Sequence, residues 1–198
     1  LDSTKEELFK SIETVGLEKS RMSIFSALLR LRQICCHPRL YDTEGKLGIS
    51  ESGKFEHLQS MLEEIISEGH RILLFSQFVG MLDIIKVWLE TKGIKHEYLS
   101  GKTKDRQAVV ERFNTDVTIP IFLVSLKAGG TGLNLTGADY VIHYDPWWNP
   151  AVEDQATDRA YRIGQTKKVF VYRLITKGTV EEKIQRLKSK KRSLVDSV

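Results

Sequence analysis

A chain of 198 residues with 41% hydrophobic and 28% charged residues can bury one good core with a small helical appendage, as an ordinary globular protein does. A net charge of +4 and a pI near 9.0 permit nucleic-acid binding without requiring it. There is no apolar run long enough to span a bilayer and only one adjacent cysteine pair, too few for a secreted disulfide framework, and no secretory leader is expected. An intracellular setting is expected: cytoplasm or nucleoid for a prokaryotic protein, the favoured case, and nucleus for a eukaryotic one.

Residues 3–14 and 18–36 read as helices. Ser3 and Glu6 form a capping box, and Met22, Phe25, Leu28, Leu29, Arg32 and Cys35 lie along one stripe until Pro38 ends the second helix. Three consecutive residues, Cys35-Cys36-His37, cannot readily converge on one metal, so buried helix-end packing and no metal site are expected there. A polar connection with Gly45 and Gly48 follows and marks a boundary. The expected division is a helical segment over 1–48, the main lobe over 49–178 and a basic helix over 179–198.

From there helix and strand alternate. Leu58, Met61, Leu62, Ile65 and Ile66 mark a helix ending at Gly69, followed by an apolar strand at 71–76. Phe78, Met81, Leu82, Ile85, Trp88 and Leu89 mark the next helix, ending at Gly93, with Trp88 in the core. Strands are expected near 95–99, 120–124, 139–144 and 168–174, and helices near 104–114, 150–162 and 179–193. Short apolar strands between helices specify an α/β fold, a parallel sheet covered on both faces. Ligands of such sheets bind at loops beyond the carboxyl ends of the strands. Ser76-Gln77, Ser100-Gly101, Ser125 to Lys127 and the turn from Asp145 to Pro150 all fall there and converge on one rim. The cations of the last helix, Lys183, Arg186, Lys188, Lys190, Lys191 and Arg192, form either a nucleic-acid-facing stripe or a solvated face.

The chemistry concentrates between Ser125 and Gln165. A glycine-rich loop (Ser125 to Leu135) is followed by a strand, a Trp147-Trp148 turn and a helix carrying Gln155, Arg159 and Arg162. On a helix those three stand at i, i+4 and i+7, within one narrow arc. Guanidinium forks suit phosphate oxygens, and an arginine finger contributes roughly 10³–10⁵ in phosphoryl-transfer rate. The alternative is a solvated face with an Asp158–Arg162 pair. No phosphate cradle accompanies the arginines. Gly101-Lys102-Thr103 is a decoy, because His96 stands where the cradle's first glycine belongs. No Asp-Glu pair follows an apolar strand, and Leu135 replaces the third glycine of a dinucleotide fingerprint.

The run from Asp154 to Gln165 resembles motif VI of the SWI/SNF-type family of DNA translocases, within helicase superfamily two. The glycine loop resembles its motif V, Asp145 to Pro150 the segment after it, and Leu73 to Phe78 motif IV. Tyr98 to Thr103 resembles the next block. Arg106, Val110, Phe113 and Asn114 resemble the helix after that block, and Ser52-Gly53-Lys54 the start of the lobe. The likeness runs from about residue 23 to 185. It implies the second, C-terminal RecA-like lobe of a two-lobe motor, and a start at Leu1 fits a piece of a longer protein. The Leu31 to Pro38 run also resembles a family block. Relatives sharing it and the Trp147-Trp148 turn often carry a RING insertion nearby, and the short connection here speaks against built-in ubiquitin-ligase activity.

The resemblance implies roles position by position. Gln77, Ser100, Gly101, Lys102, Ser125 and Lys127 become DNA-backbone contacts, with donors that carry no sequence information. Trp148 either inserts toward a groove or stacks on sugar and base, or else packs beneath the motif VI helix, a place Trp147 could take instead. Asn149 caps that helix and Pro150 opens it. Gly130, Gly132 and Asn134 couple the grip to the nucleotide. Gln155, Arg159 and Arg162 close over ATP with Mg²⁺, which is bound mainly by the missing N-terminal lobe, so the isolated chain should not hydrolyse ATP. This requires residues 159 and 162 to face an open crevice. Implied partners are double-stranded DNA, the N-terminal lobe of the same protein and protein cargo such as nucleosomes or polymerase, with no membrane. Tyr161 in place of a frequent histidine, and Ser100-Gly101-Lys102 in place of an acidic-glycine-serine run, bear on fine substrate preference. The rivals are an RNA helicase lobe and a non-catalytic RecA-like scaffold.

Overall fold

A computed structural model describes residues 21–42, 44–46, 48–49, 51–128, 133–161, 165 and 167–195. The helix expected at 3–14 lies outside them. Helix α1 (Arg21–Cys36) is followed by a 3₁₀ turn (Pro38–Leu40), where His37 Nδ1 accepts from Arg39 N at 3.2 Å. The main lobe then runs α2 (Gly53–Ser67), β1 (Ile72–Ser76), α3 (Val79–Thr91), β2 (His96–Leu99), α4 (Arg106–Thr115), β3 (Ile121–Ser125), β4 (Tyr140–His143), α5 (Pro150–Thr157), β5 (Phe170–Arg173) and α6 (Val180–Val195). Ser52 caps α2 through Phe55 N, and Asp105 caps α4 through Ala108 N. Gly69 and Gly93, at φ 80° and 67°, take the left-handed step that ends α2 and α3.

The five strands form one parallel sheet in the order β2-β3-β1-β4-β5. Alternation along each strand divides the core into two layers. Leu73, Phe75, Phe122, Val124 and Val141 meet Val109, Val110 and Phe113 of α4 and Ala156 of α5 on one face. Ile72, Leu74, Ile121, Leu123 and Ile142 meet Leu58, Leu62 and Ile65 of α2 and Met81, Leu82, Ile85 and Leu89 of α3 on the other. Trp88 lies at the edge of this second layer, half-buried. None of the described helices is long and apolar enough to cross a membrane.

The C-terminal half of α1 is held by the lobe, with Arg32, Cys35 and Cys36 buried. Cys36 is buried in the second layer, and its carbonyl accepts from Tyr144 Oη at 2.7 Å and Ser52 Oγ at 3.2 Å. Met22, Phe25 and Leu29, expected on a buried stripe, are exposed. The period marks a face but does not say what covers it.

Helix α5 departs from expectation. It stops at Thr157 and not at residue 162: Asp158 N still bonds Asp154 O, but Arg159 N and Ala160 N bond only three residues back, to Ala156 O and Thr157 O, and residues 158–160 form a turn. Gln155 and Arg159 therefore do not share a helical arc, which corrects that reading.

Candidate nucleotide and nucleic-acid interface

The carboxyl ends of β1, β2, β3 and β4 bring the expected rim together. Gly101, Lys102 and Lys127 are exposed there, and Gln77 is half-buried. Ser100 and Ser125 are a correction: both are buried beneath the rim. Ser100 is occupied by its own turn, since its hydroxyl accepts from Lys102 N at 3.3 Å while its N–H donates to Thr103 Oγ1 at 3.0 Å. Ser125 is the last residue of β3, and its carbonyl accepts from Ala128 N at 2.9 Å.

The Trp turn resolves into two roles. Trp147 packs against the first core layer, while Trp148 is 44% exposed and faces outward. Asn149 Oδ1 accepts from Ala151 N at 3.1 Å with Pro150 at the first helical position, so the turn feeds α5 as the sequence suggested. Two carboxylates that sequence reasoning missed hold this turn from below. Asp145 Oδ1 accepts from Ser76 Oγ at 2.6 Å and Gln77 N at 3.2 Å, tying the turn to the β1 loop. Burial pushes the Asp145 carboxyl above its ordinary pKa, against the pull of the Ser76 hydroxyl and of Lys54 and Arg32.

Glu153, 2% exposed, is the second. Its Oε1 accepts from Trp147 N at 2.7 Å, and its Oε2 meets Lys188 Nζ of α6 at 2.7 Å and Arg173 Nε of β5 at 3.3 Å. Burial opposes its charge, but Lys188 and the Trp147 N–H outweigh that and leave its pKa below the ordinary value. Lys188 is thus no part of a DNA-facing stripe, and Arg186 pairs with Glu182 along α6. Beside Glu153, His143 Nε2 lies 2.9 Å from Thr157 Oγ1, and burial holds its pKa down to about 4. A signal for both carboxylates was present in the sequence. Asp145 ends an apolar strand, and Glu153 shares a helical face with Ala156 and Thr157, where a charge must find partners.

Of the residues expected at the nucleotide, Gln155 and Asn134 are exposed, and Asn134 O accepts from Asn114 Nδ2 at 2.8 Å. Gly130, Gly132 and Arg162 lie outside the described residues. Arg159 does not face an open crevice: it is 2% exposed and is a correction to the sequence expectation. Its Nη1 donates to Leu133 O at 3.3 Å, and its carbonyl accepts from Leu135 N at 3.1 Å, so the turn after α5 folds it against the end of the glycine loop. Gln165 closes the same region, its Nε2 donating to the carbonyls of Thr136, Ala138 and Ala160. Among the described residues no cluster of His, Cys, Asp or Glu could hold a metal ion, and both cysteines are free and buried.

Comparison with known proteins decides the family. The helicase conserved C-terminal domain matches residues 53–164. The Sulfolobus solfataricus SWI2/SNF2 ATPase C-terminal domain superposes with a TM-score of 0.79 at 37% identity, over 98% of this chain and 80% of that one. The chain belongs to the SWI2/SNF2 helicase C-terminal domains. The SWI2/SNF2 ATPase core of the same organism, solved in complex with dsDNA, gives a TM-score of 0.81 at 41% identity over 97% of this chain and 41% of that chain. A putative ATP-dependent helicase/translocase of Bacillus subtilis, YwqA, is 45% identical over 188 residues, 92% of this chain but 20% of its own length. The chain therefore spans about a fifth of that relative. Its SWI2/SNF2 membership rests on this likeness and not on the exposure of Arg159.

Proposed function

We propose that this chain is the C-terminal motor lobe of an ATP-dependent double-stranded DNA translocase. The observation that carries the reading is the superposition, over nearly the whole chain, on a SWI2/SNF2 core solved with dsDNA. ATP with Mg²⁺ is bound mainly by the N-terminal lobe of the parent protein, because this chain has no phosphate cradle. Gly130, Gly132, Asn134 and Gln155 take part in nucleotide binding. Arg162 supplies the cation that meets the terminal phosphate, and Arg159 supplies charge from behind the Leu133–Leu135 stretch. Gly101, Lys102, Lys127 and Trp148 grip the duplex, and contacts to phosphate and sugar hold every sequence equally. ATP draws the lobes together, hydrolysis releases them, and the alternating grip moves the motor along the duplex without separating its strands.

The test is DNA-stimulated ATP hydrolysis by the two-lobe protein. Arg162→Ala and Arg159→Ala should each abolish stimulation while DNA binding persists, and this chain alone should not turn ATP over. Retained turnover in both variants would sink the arginine assignment. Stimulation by duplex RNA in preference to duplex DNA would make the protein an RNA helicase, and no hydrolysis under any condition would leave a scaffold.

A further inference from the structure

Helix α1 reaches the rim through Arg32. Its exposed apolar line, Met22, Phe25 and Leu29, continues at the next helical step to Arg32, which is buried. Arg32 Nη2 donates to Pro146 O at 2.6 Å. Its guanidinium carbon lies 5.2 Å from the centre of the Trp148 ring and 5.7 Å from that of Phe78. One guanidinium thus touches the Trp turn and the loop after β1 together.

An ordinary buried ion pair does not account for this arrangement. A paired carboxylate and guanidinium close to about 2.7–2.9 Å. Here Arg32 Nη2 stands 3.9 Å from Asp145 Oδ2, and neither that oxygen nor Arg32 Nε has a hydrogen-bond partner among the described residues. The short contact goes to the Pro146 carbonyl, and the planar face goes to the rings. Cation–π contact and one strong hydrogen bond fix orientation, which a loose charge pair does not.

We propose that Arg32 is a positioning residue for DNA engagement, holding the exposed Trp148 ring and the Pro146 carbonyl from α1 and so setting the Trp turn against the Gln77–Phe78 loop. This rests on the reading that Trp148 touches DNA. Arg32 touches neither DNA nor nucleotide; it acts through Trp148.

A double-mutant cycle in the two-lobe protein tests it, read as ATP turnover against duplex DNA concentration. Arg32→Lys keeps a cation near Asp145 but loses the planar face. It should raise the DNA concentration for half-maximal stimulation by roughly threefold to tenfold, with a smaller change in turnover at saturating DNA. Because both residues act in one contact, adding Arg32→Lys to Trp148→Ala should cause no further rise. Should the lysine variant fail to fold, Arg32→Gln, a neutral planar donor, should give the same rise and the same non-additivity. Arg32 variants that respond to DNA like wild type, or whose effect multiplies in full with that of Trp148→Ala, overturn the assignment alone. A wild-type protein that DNA does not stimulate overturns the motor reading and this proposal with it.

Discussion

Replacing Glu153 by glutamine removes one charge and almost no volume, so its effect isolates the buried ion cluster behind the Trp turn. The amide oxygen can still accept from Trp147 N, and Arg173 keeps Asp154 at 3.6 Å. Lys188, almost fully enclosed, loses its only described carboxylate partner. Stranding one member of a buried pair costs about 3–5 kcal/mol, and the retained hydrogen bond places the expectation near the lower end, about 3 kcal/mol. For a domain whose whole stability is of order 5–15 kcal/mol that is a large fraction. With a urea m-value of about 2 kcal/mol/M, the unfolding midpoint should fall by about 1.5 M. Lys188→Met should cost less, about 1–2 kcal/mol, because Glu153 retains Arg173 and the Trp147 amide. The double variant should cost less than the two singles added together, with a coupling of about 1 kcal/mol or more. Urea unfolding followed by circular dichroism measures all three. A Glu153→Gln cost below about 1 kcal/mol, or strict additivity, would show that the cluster is solvated and holds nothing in place.

Acid should destabilise the lobe through His143. The unfolded His143 has a pKa of about 6.5, while burial holds the folded one at about 4, so the unfolded chain takes up the proton first. Stability attributable to the neutral imidazole is present above about pH 6.5 and is lost as the pH falls toward 4, about 2 kcal/mol of it between pH 7 and pH 5. His143→Gln should flatten that drop in unfolding free energy, and an unchanged slope would assign the effect elsewhere. Gly137 sits where an added Cβ would come within 2.9 Å of Arg71 Nη1 and 3.3 Å of the Asn114 backbone. Arg71 is fixed there by the carbonyls of Phe113, Asp116, Ile119 and Gly137. Gly137→Ala should therefore destabilise by about 1–3 kcal/mol in thermal or urea unfolding, and a neutral result would mean that the Arg71 loop yields freely.

Much of the scaffold was legible because it depends on short-range signals. The apolar runs at Ile72–Ser76 and Ile121–Ser125 are buried on both faces, as a central parallel strand requires, and Gly69 and Gly93 end their helices where their φ angles permit it. Asn149-Pro150 likewise announced the start of α5. The end of α5 was not legible. Ala156, Arg159 and Ala160 continue the helical spacing, yet the chain turns at Asp158 so that Ala160 packs in the first layer and Arg159 meets the Leu133–Leu135 stretch. A tertiary contact overrode a local period. The buried charges escaped notice for the same reason. Asp145 and Glu153 each announce that a partner is needed, but Ser76 lies 69 positions from Asp145 and Lys188 lies 35 from Glu153, a separation that only the fold spans.

Those long-range charges bear on how a grip can follow its lobe. A rim loop held only by backbone turns could lag behind while the sheet moves, and the displacement would be lost in the loop. The Trp turn cannot lag cheaply. Asp145 fastens its first residue to the loop after β1, and Arg32 holds Pro146 and Trp148 from α1. Glu153 fastens Trp147 to β5 and α6. Pulling the turn away from any one of these leaves a buried charge or donor without its partner, at a cost of several kcal/mol. Thermal energy, about 0.6 kcal/mol, does not meet that cost. In the proposed cycle a rotation of the sheet is therefore delivered to Trp148 as a rigid displacement, and this is why polar residues that touch neither DNA nor nucleotide occupy the space beneath the rim.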